Sequence, residues 1–286
     1  MLTPTFAMLA VFSLVPFIWA FSTSFYDYEV GGDSRFIGLS NYREYLSDPT
    51  LLTSFKTLIF LTVFGLLVVM TAPLIVAKLI FSLKSERARY FYRVLFLIPI
   101  VVPGVASLMI WQQMIYGESG FLNELLRLAG RDDLTRGWLT DPRTVLWAIV
   151  FIGFPFAGGI NILIYYAGLT GIPESVHEAA ELDGARGIRK FLAVDVPLVR
   201  SQVKLLTILT VIGTVQGFSD MFILTKGGPG FKTMVPGLWM YMNAFSFQRM
   251  GYACAIGVIL FLLILGLTIL NMRYFRSSEE LTAELA

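Results

Sequence analysis

Six stretches of the sequence are each long and apolar enough to cross a membrane as a helix. A spanning helix needs about 20 consecutive, mostly apolar residues, because the hydrocarbon core of a bilayer is about 30 Å thick. The six windows cover residues 5–25, 58–81, 94–116, 145–167, 205–225 and 251–272. A helix satisfies its backbone polar groups internally, as lipid requires. The windows therefore predict an all-α, polytopic membrane protein with six transmembrane helices, folded as one domain over residues 1–286.

The composition supports a membrane location and argues against several other classes. Charged residues make up 15% of the chain and hydrophobic residues 56%, whereas soluble domains carry about 25% charged residues. A net charge of +2 gives no reason to expect nucleic acid as a partner. One Cys and one His cannot supply the paired thiolate or imidazole ligands of a zinc site. The sequence also lacks a recognisable nucleophile–base pair, so we predict neither a metal site nor an enzyme.

The basic residues between the windows predict which side of the membrane holds the termini. No Lys or Arg precedes the first window, so this window is predicted to be a retained span rather than a signal peptide. Six spans place both termini on the same side. The short connection between the second and third windows holds Lys84, Arg87, Arg89 and Arg93. Short basic loops lie in the cytoplasm, so both termini are predicted to be cytoplasmic.

Proline residues interrupt several of the windows, at positions Pro16, Pro73, Pro99, Pro103 and Pro155. Proline is commoner in spanning helices than in soluble ones, which is the simpler interpretation of any single one. Broken helices near the middle of the membrane are also how many transporters build their sites. Several interruptions in one chain favour the second interpretation.

Residues 171–199 are too polar to span a membrane but contain the start and stop signals of two short helices. Pro173 suits a first helical position, and Gly184 can adopt the left-handed conformation that ends a helix. A second helix is predicted over residues 187–196, ended by Pro197.

Helical spacing on the first of these helices predicts two faces. The acidic face comprises Glu174, Glu178 and Glu181. The apolar face comprises Val176, Ala179, Ala180 and Leu182. A helix of about ten residues is marginal alone in water, which favours a partner surface that carries basic residues. The alternative is a solvated loop helix with no docking role.

The same segment resembles the signature of binding-protein-dependent ABC importer permeases. The matching residues are Glu178-Ala179-Ala180, Gly184, Val194 and Val196-Pro197, with Val at two positions where the signature has Ile and Leu. More specifically, the chain resembles the six-helix carbohydrate permeases of the maltose and sn-glycerol-3-phosphate importers. That resemblance extends over nearly the whole chain and includes the stretches 36–42 and 225–229.

The resemblance implies the type I ABC importer permease fold, in a bacterial plasma (inner) membrane. Such a chain forms half of a translocation pathway for a carbohydrate. Its expected partners are a second, homologous permease in a heterodimer, two cytoplasmic ATPase subunits, an extracytoplasmic solute-binding protein and membrane lipid. No cofactor is expected in this chain, because ATP and Mg would be bound by the ATPase subunits.

The resemblance also assigns roles to individual residues. Those expected to form a coupling helix in a groove of the ATPase are Glu178, Ala179, Ala180, Asp183 and Gly184. Those expected on the outer loops, against the binding protein, are Tyr42, Trp138 and Trp239.

Polar and small residues within the fourth and fifth windows are candidates for the substrate pathway, because polar groups are costly in lipid. The candidates are Gly153, Asn161, Thr210, Thr214 and Gln216. The resemblance places Thr210 and Thr214 at sugar-lining positions of the maltose-type relative. The corresponding positions of the fourth span are Gly153, Ala157 and Ile160. Aromatic side chains that are candidates for stacking on a sugar are Phe154, Phe156, Tyr165, Phe218 and Phe222. The alternative role of the two threonines is hydrogen bonding within the helix bundle.

A secondary active transporter is the competing interpretation. Such a protein needs an ionisable group within the membrane, and Asp220 is the candidate. This interpretation leaves residues 171–199 without a role. Two lysines near the ends of spans, Lys56 and Lys78, are predicted to extend toward the membrane interface.

Overall fold

The structure is a computed structural model that describes residues 3–154 and 158–274. The described residues form helices and connections, apart from one antiparallel pair of two-residue strands, Tyr26–Asp27 (β1) and Arg35–Phe36 (β2). The predicted all-α class is therefore confirmed.

The helices are named in chain order. Those of the first half are α1 (Thr3–Thr23), α2 (Ser40–Ser47), α3 (Pro49–Phe81), α4 (Glu86–Val101), α5 (Gly104–Ile115) and α6 (Phe121–Leu128). Those of the second half are α7 (Val145–Val150), α8 (Gly159–Thr170), α9 (Glu174–Leu182), α10 (Gly187–Leu198), α11 (Arg200–Gln216), α12 (Ser219–Leu224), α13 (Pro236–Tyr241) and α14 (Met250–Tyr274).

Three of these helices are continuous, apolar and long enough to cross a membrane, namely α1, α3 and α14. Two pairs meet the same test only jointly, α4 with α5, bent by 93°, and α10 with α11, bent by 67°. The described residues thus contain three candidate spans, or up to five if each bent pair counts as one. Helix α8 is apolar but has only 12 residues. The membrane-spanning character is confirmed, and the count of six spans stays a prediction.

The third window divides into two helices at a proline. Val102 is extended, with ψ of 126°, because the ring of Pro103 disfavours the helical conformation of the residue before it. Helix α4 consequently ends at Val101, and α5 starts at Gly104 in a new direction. Pro99 lies inside α4 and does not end it.

The fourth and fifth windows also fail to form single helices. In the fourth window, Gly153 and Gly158 have φ angles of +80° and +93°, which glycine adopts without the Cβ penalty of other residues. Helices α7 and α8 lie on either side of this region. Pro155 and Ala157 lie outside the described residues. The fifth window is divided between α11 and α12.

Residues 171–199 form the two helices predicted from the sequence, with one correction. Helix α10 does not end at residue 196 but continues through Pro197 to Leu198. The residues just before Pro197 form a π-helical turn, in which the Val196 N–H donates to the carbonyl of Phe191. This wider turn relieves the clash between a proline ring and the preceding turn of an α-helix.

The fold consists of two compact units, each assembled from separate stretches of the chain. Unit 1 comprises residues 1–60, 139–146 and 214–266, and unit 2 comprises residues 61–138, 147–213 and 267–286. Helices α3, α8 and α11 form the core of unit 2, together with Val199, which directly precedes α11. The buried residues of this core are Leu74, Ala77, Ile80, Ile162, Tyr165, Tyr166, Leu169, Val199 and Leu206. Helix α8 also approaches α4 closely, because a Cβ on Gly159 would overlap the carbonyl oxygen of Phe96.

In unit 1, one carboxylate ties the start of α3 to two later helices. Asp48 directly precedes α3 and accepts hydrogen bonds from Trp239 Nε1 at 2.9 Å and from the Tyr252 hydroxyl at 3.0 Å. Trp239 belongs to α13 and Tyr252 to α14. The β-hairpin is attached to the same region, since the Gly251 N–H donates to the Tyr28 carbonyl at 3.1 Å.

Candidate functional site

Helix α9, which carries the Glu-Ala-Ala sequence, buries one face within unit 2 and exposes the other. His177 and Ala180 lie one turn apart and are buried. Glu178 and Ala179 are exposed, and Leu182 is 90% exposed. This corrects the predicted grouping of Ala180 with Leu182. Leu182 lies four residues after Glu178 and therefore shares the exposed face with it.

A Schellman motif ends α9 and directs the chain into α10. Gly184 has φ of +77°, the left-handed conformation predicted for it. The Ala185 N–H donates to the Ala180 carbonyl at 2.8 Å, and the Gly184 N–H donates to the Glu181 carbonyl at 3.1 Å. Asp183 lies at the C-cap and is exposed. The turn therefore depends on the backbone freedom of Gly184.

An ion pair also joins the two short helices. Lys190 Nζ of α10 lies 2.9 Å from Glu181 Oε1 of α9. The hydrogen bond and the charge of Lys190 lower the pKa of the Glu181 carboxyl below its ordinary value. The α10 helix exposes two apolar side chains one turn apart, Ile188 at 77% and Leu192 at 59%. Large apolar side chains exposed together with carboxylates are typical of a protein–protein contact surface.

The predicted pathway residues are divided between the two units. Gly153, Asn161 and Thr210 belong to unit 2, and Thr214 and Gln216 belong to unit 1. On α11, Thr210 and Thr214 are one turn apart and lie on the same face of the helix. The role of these five residues in substrate passage stays a prediction.

Two of the pathway candidates in unit 2 each lie next to a glycine. The methyl group of Thr210 lies at van der Waals distance from where a Cβ on Gly65 of α3 would be. The amide of Asn161 packs against the left-handed Gly158, where a Cβ would be 3.0 Å from Asn161 Nδ2. A third threonine of α11, Thr207, is buried and donates to its own helix at the Val203 carbonyl, at 2.7 Å. The Thr207 hydroxyl therefore has the alternative role predicted for these threonines, hydrogen bonding within the helix bundle.

The described aromatic candidates are divided between the two units. Tyr165 has no exposed surface and lies in the core of unit 2. The prediction that Tyr165 stacks on a sugar is therefore wrong, because its whole side chain is packed against the core. Phe156 lies outside the described residues. Phe218 stacks on Tyr241 in unit 1 with ring centroids 5.1 Å apart, and Phe222 meets the same ring edge-on. Tyr241 was missed from the sequence because it lies outside the predicted windows.

The three aromatic residues predicted on the outer loops are partly buried and hydrogen-bonded within their own units. The Tyr42 hydroxyl lies 2.6 Å from Ser24 Oγ in unit 1. Trp138 Nε1 donates to Asn123 Oδ1 at 2.9 Å in unit 2. Trp239 is bonded to Asp48, as described above. The polar group of each of these aromatic side chains is therefore used in a hydrogen bond within its own unit.

The electrostatics of Asp48 follow from its partners. Burial raises the pKa of this carboxyl. Hydrogen bonds from Thr50, Tyr252 and Trp239 together lower the pKa by more than burial raises it, so the net pKa lies below the ordinary value. The Asp48 carboxylate is thus held in its charged form where α3 begins.

One charged residue, Lys78, differs from its predicted surroundings. Lys78 does not extend to the interface, because its Nζ lies 2.6 Å from Oδ2 of the fully buried Asp195. A single carboxylate in the apolar run 191–199 was the signal available in the sequence. Asp220 is exposed, in the first turn of α12. Over residues 3–154 and 158–274, no three His, Cys, Asp or Glu side chains are grouped so as to hold a metal ion.

Comparison with known proteins places this arrangement in a family. Residues 70–276 match the family described as binding-protein-dependent transport system inner membrane component. The arabinooligosaccharides transport system permease protein AraP of Bacillus subtilis is 28% identical, over 92% of this chain and 83% of that protein. The sn-glycerol-3-phosphate transport system permease protein UgpA of Agrobacterium fabrum is 30% identical, over 92% of this chain and 90% of that protein.

A solved structure shares the fold. A chain of a bacterial alginate ABC transporter, in complex with an alginate pentasaccharide-bound periplasmic protein, superposes with a TM-score of 0.83. The two chains are 19% identical, and the match covers 96% of this chain and 92% of the other. The ABC importer permease fold is thereby confirmed, and the comparisons give no support to a secondary transporter that uses Asp220. On the family match and the UgpA likeness, the chain belongs to the inner membrane components of binding-protein-dependent transport systems.

Proposed function

We propose that this chain forms half of the translocation pathway of an ATP-driven importer for a carbohydrate. The substrate class comprises oligosaccharides, disaccharides, polyols and glycerol phosphates. Family membership supports the importer, and the names of AraP and UgpA support the substrate class. Helices broken at Pro103 and around Gly153 support a pathway, because irregular backbone at membrane depth is tolerated only within protein or beside water.

The observation that carries the coupling role is the exposed face of α9. Glu178 is exposed and forms no ion pair with any residue in the described part of the chain. Beside it, Ala179 offers a small side chain for close approach, and Leu182 offers apolar area. This face would bind a groove of a cytoplasmic ATPase, with Glu178 opposite a basic residue. Ala180, on the buried face, would hold α9 against unit 2.

The remaining partners follow from the same proposal. A second, homologous permease would complete the pathway as a heterodimer, and two ATPase subunits would bind ATP and Mg. An extracytoplasmic solute-binding protein would deliver the substrate. Both termini and α9 would lie in the cytoplasm of a bacterial cell, as the basic run 84–93 favours.

The coupling role is tested by reversing the charge of Glu178. Because this side chain is exposed, Glu178→Lys should assemble normally but lose most substrate-stimulated ATP hydrolysis and uptake in the reconstituted complex. The matched control is Glu118→Lys, which makes the same charge change at an exposed residue of a predicted outer loop. Normal stimulated hydrolysis and uptake in Glu178→Lys would contradict the assignment, as would equal losses in the two variants.

A further inference from the structure

A buried carboxylate lies between the coupling segment and the end of α3. Asp195 has no exposed surface and belongs to α10, the second helix of the segment. Its Oδ2 lies 2.6 Å from Nζ of Lys78, in the last turn of α3. Both residues belong to unit 2. The ion pair therefore joins a long apolar helix to the helix pair that carries the Glu-Ala-Ala sequence.

The other side of the same carboxylate faces α9. Nδ1 of His177 lies 3.9 Å from Asp195 Oδ1, which is too far for a hydrogen bond. His177 is 5% exposed, and neither of its ring nitrogens has a hydrogen-bond partner in the described part of the chain. The imidazole is instead packed 5.9 Å from the ring of Phe81, the last residue of α3. Asp195 thus forms an ion pair with Lys78 and lies close to His177 without a hydrogen bond.

Burial makes this arrangement specific. A buried charge needs a partner of opposite charge, and removal of one partner leaves the other uncompensated. Lys78 also lies over the Phe81 ring, at 5.2 Å from its centroid, so the last turn of α3 presents a cation and an aromatic ring to the segment. Helices α9 and α10 are joined to each other by Glu181 and Lys190. A displacement of α9 is therefore resisted by α3 through these contacts.

We infer that Asp195 and Lys78 are positioning residues for coupling, because their ion pair fixes the α9–α10 segment to the inner end of α3. A movement imposed on α9 would then reach α3 as a rigid displacement rather than dissipate in the connecting turn. This inference rests on the proposed coupling role of α9. The position of the segment on α3 is a property of the chain itself and can be measured without transport.

The test combines two neutralising substitutions with their double variant. Asp195→Asn keeps the shape of the side chain, and Lys78→Met keeps most of the lysine stem. In Lys78→Met/Asp195→Asn no lone charge remains buried, so this variant is expected to assemble even where a single variant is unstable. The control is Lys84→Met, which removes an exposed lysine near the same end of α3.

The first readout is the ratio of ATP hydrolysis with loaded binding protein to hydrolysis without it, in the reconstituted complex. Each single variant and the double variant should lose at least about fivefold in this ratio, the lower end of typical coupling between sites. The loss in the double variant should equal that in either single variant, because the two residues act as one pair. Lys84→Met should keep the wild-type ratio.

The second readout is the distance between α3 and α9, measured by electron spin resonance. The chain has one cysteine, so Cys254→Ala gives a background for spin labels at Ser82, the residue directly after α3, and at Ser175 of α9, both exposed. The wild-type pair should give a single narrow distance distribution, and Asp195→Asn and the double variant should broaden or shift it.

The inference requires both readouts to change. An unchanged distance distribution in the double variant would overturn it, and so would an unchanged ATPase ratio. A wild-type complex without stimulated ATP hydrolysis would instead contradict the proposed function. The distance measurement would still decide whether Asp195 and Lys78 position the segment on α3.

Discussion

Asp48 illustrates how a single residue organises one end of unit 1. It precedes α3, and its carboxylate accepts hydrogen bonds from α13 and α14 and from the Thr50 backbone N–H at 2.7 Å. The lowered pKa of Asp48 means that the charged form is favoured by folding. Stability from this residue is therefore fully present above its unfolded pKa and is lost as the pH falls through the folded value.

We predict that Asp48→Asn lowers the stability of the purified protein by about 1–2 kcal/mol near neutral pH, because hydrogen bonds to a charged acceptor are replaced by weaker ones. Thermal unfolding in detergent measures the effect. The difference between wild type and variant should shrink below pH about 4, where Asp carboxyls are ordinarily protonated. A difference that stays constant from neutral to acid pH would show that the charge of Asp48 is not what stabilises the wild type.

Thr214 represents the pathway candidates at the same scale. If its hydroxyl lines the pathway, Thr214→Leu should reduce uptake of the substrate and leave complex assembly intact, because the substituted side chain is apolar but of helix-compatible shape. The control is Thr71→Leu on α3, where the hydroxyl is exposed and donates to the Leu67 carbonyl of its own helix at 2.6 Å. Unchanged transport across a panel of sugars in Thr214→Leu would return this threonine to a packing role.

At the scale of elements, the structure depends on where helices stop as much as on where they form. The apolar windows closely predicted α1, α14 and the end of α3, because long apolar runs in lipid have few alternatives to a helix. Helix α3 begins at Pro49, before its predicted window of 58–81. The breaks were harder to predict. Pro99 lies within α4, whereas Pro103 coincides with a 93° bend, and the sequence alone does not distinguish them.

The coupling segment shows the same contrast between local and tertiary information. Gly184 and the two helices were predicted, because turn chemistry is local. The end of α10 was not, because the π-helical turn before Pro197 carries the helix past it. The pairing of Lys78 with Asp195 was missed as well, since residues so distant in sequence meet only through the tertiary fold.

The turn between α9 and α10 allows a direct test. Gly184→Ala should cost about 1–2 kcal/mol locally, because a Cβ disfavours the left-handed conformation, and should reduce stimulated ATP hydrolysis. Gly184→Asn is the matched variant and should be milder, because Asn tolerates this conformation better. If Ala and Asn reduce the activity equally, the backbone conformation of Gly184 is not the relevant property.

At the scale of the whole molecule, this chain is one permease, and in the proposed function it would depend on ATPase subunits for energy. The family match and the fold place it in an inner-membrane importer. The exposed carboxylates and leucine of α9 constitute its proposed contact with the ATPase. On this account, the work of transport enters through α9 and reaches the spans through the contacts of α10 with α3.

The most direct test of this account is the composition of the complex that the tagged chain forms in its native membrane. After purification in mild detergent, mass spectrometry should identify a second permease and an ATPase subunit, and ATP should drive carbohydrate uptake when a solute-binding protein is supplied. Purification of the chain alone, with uptake in liposomes driven by a proton gradient, would contradict the account.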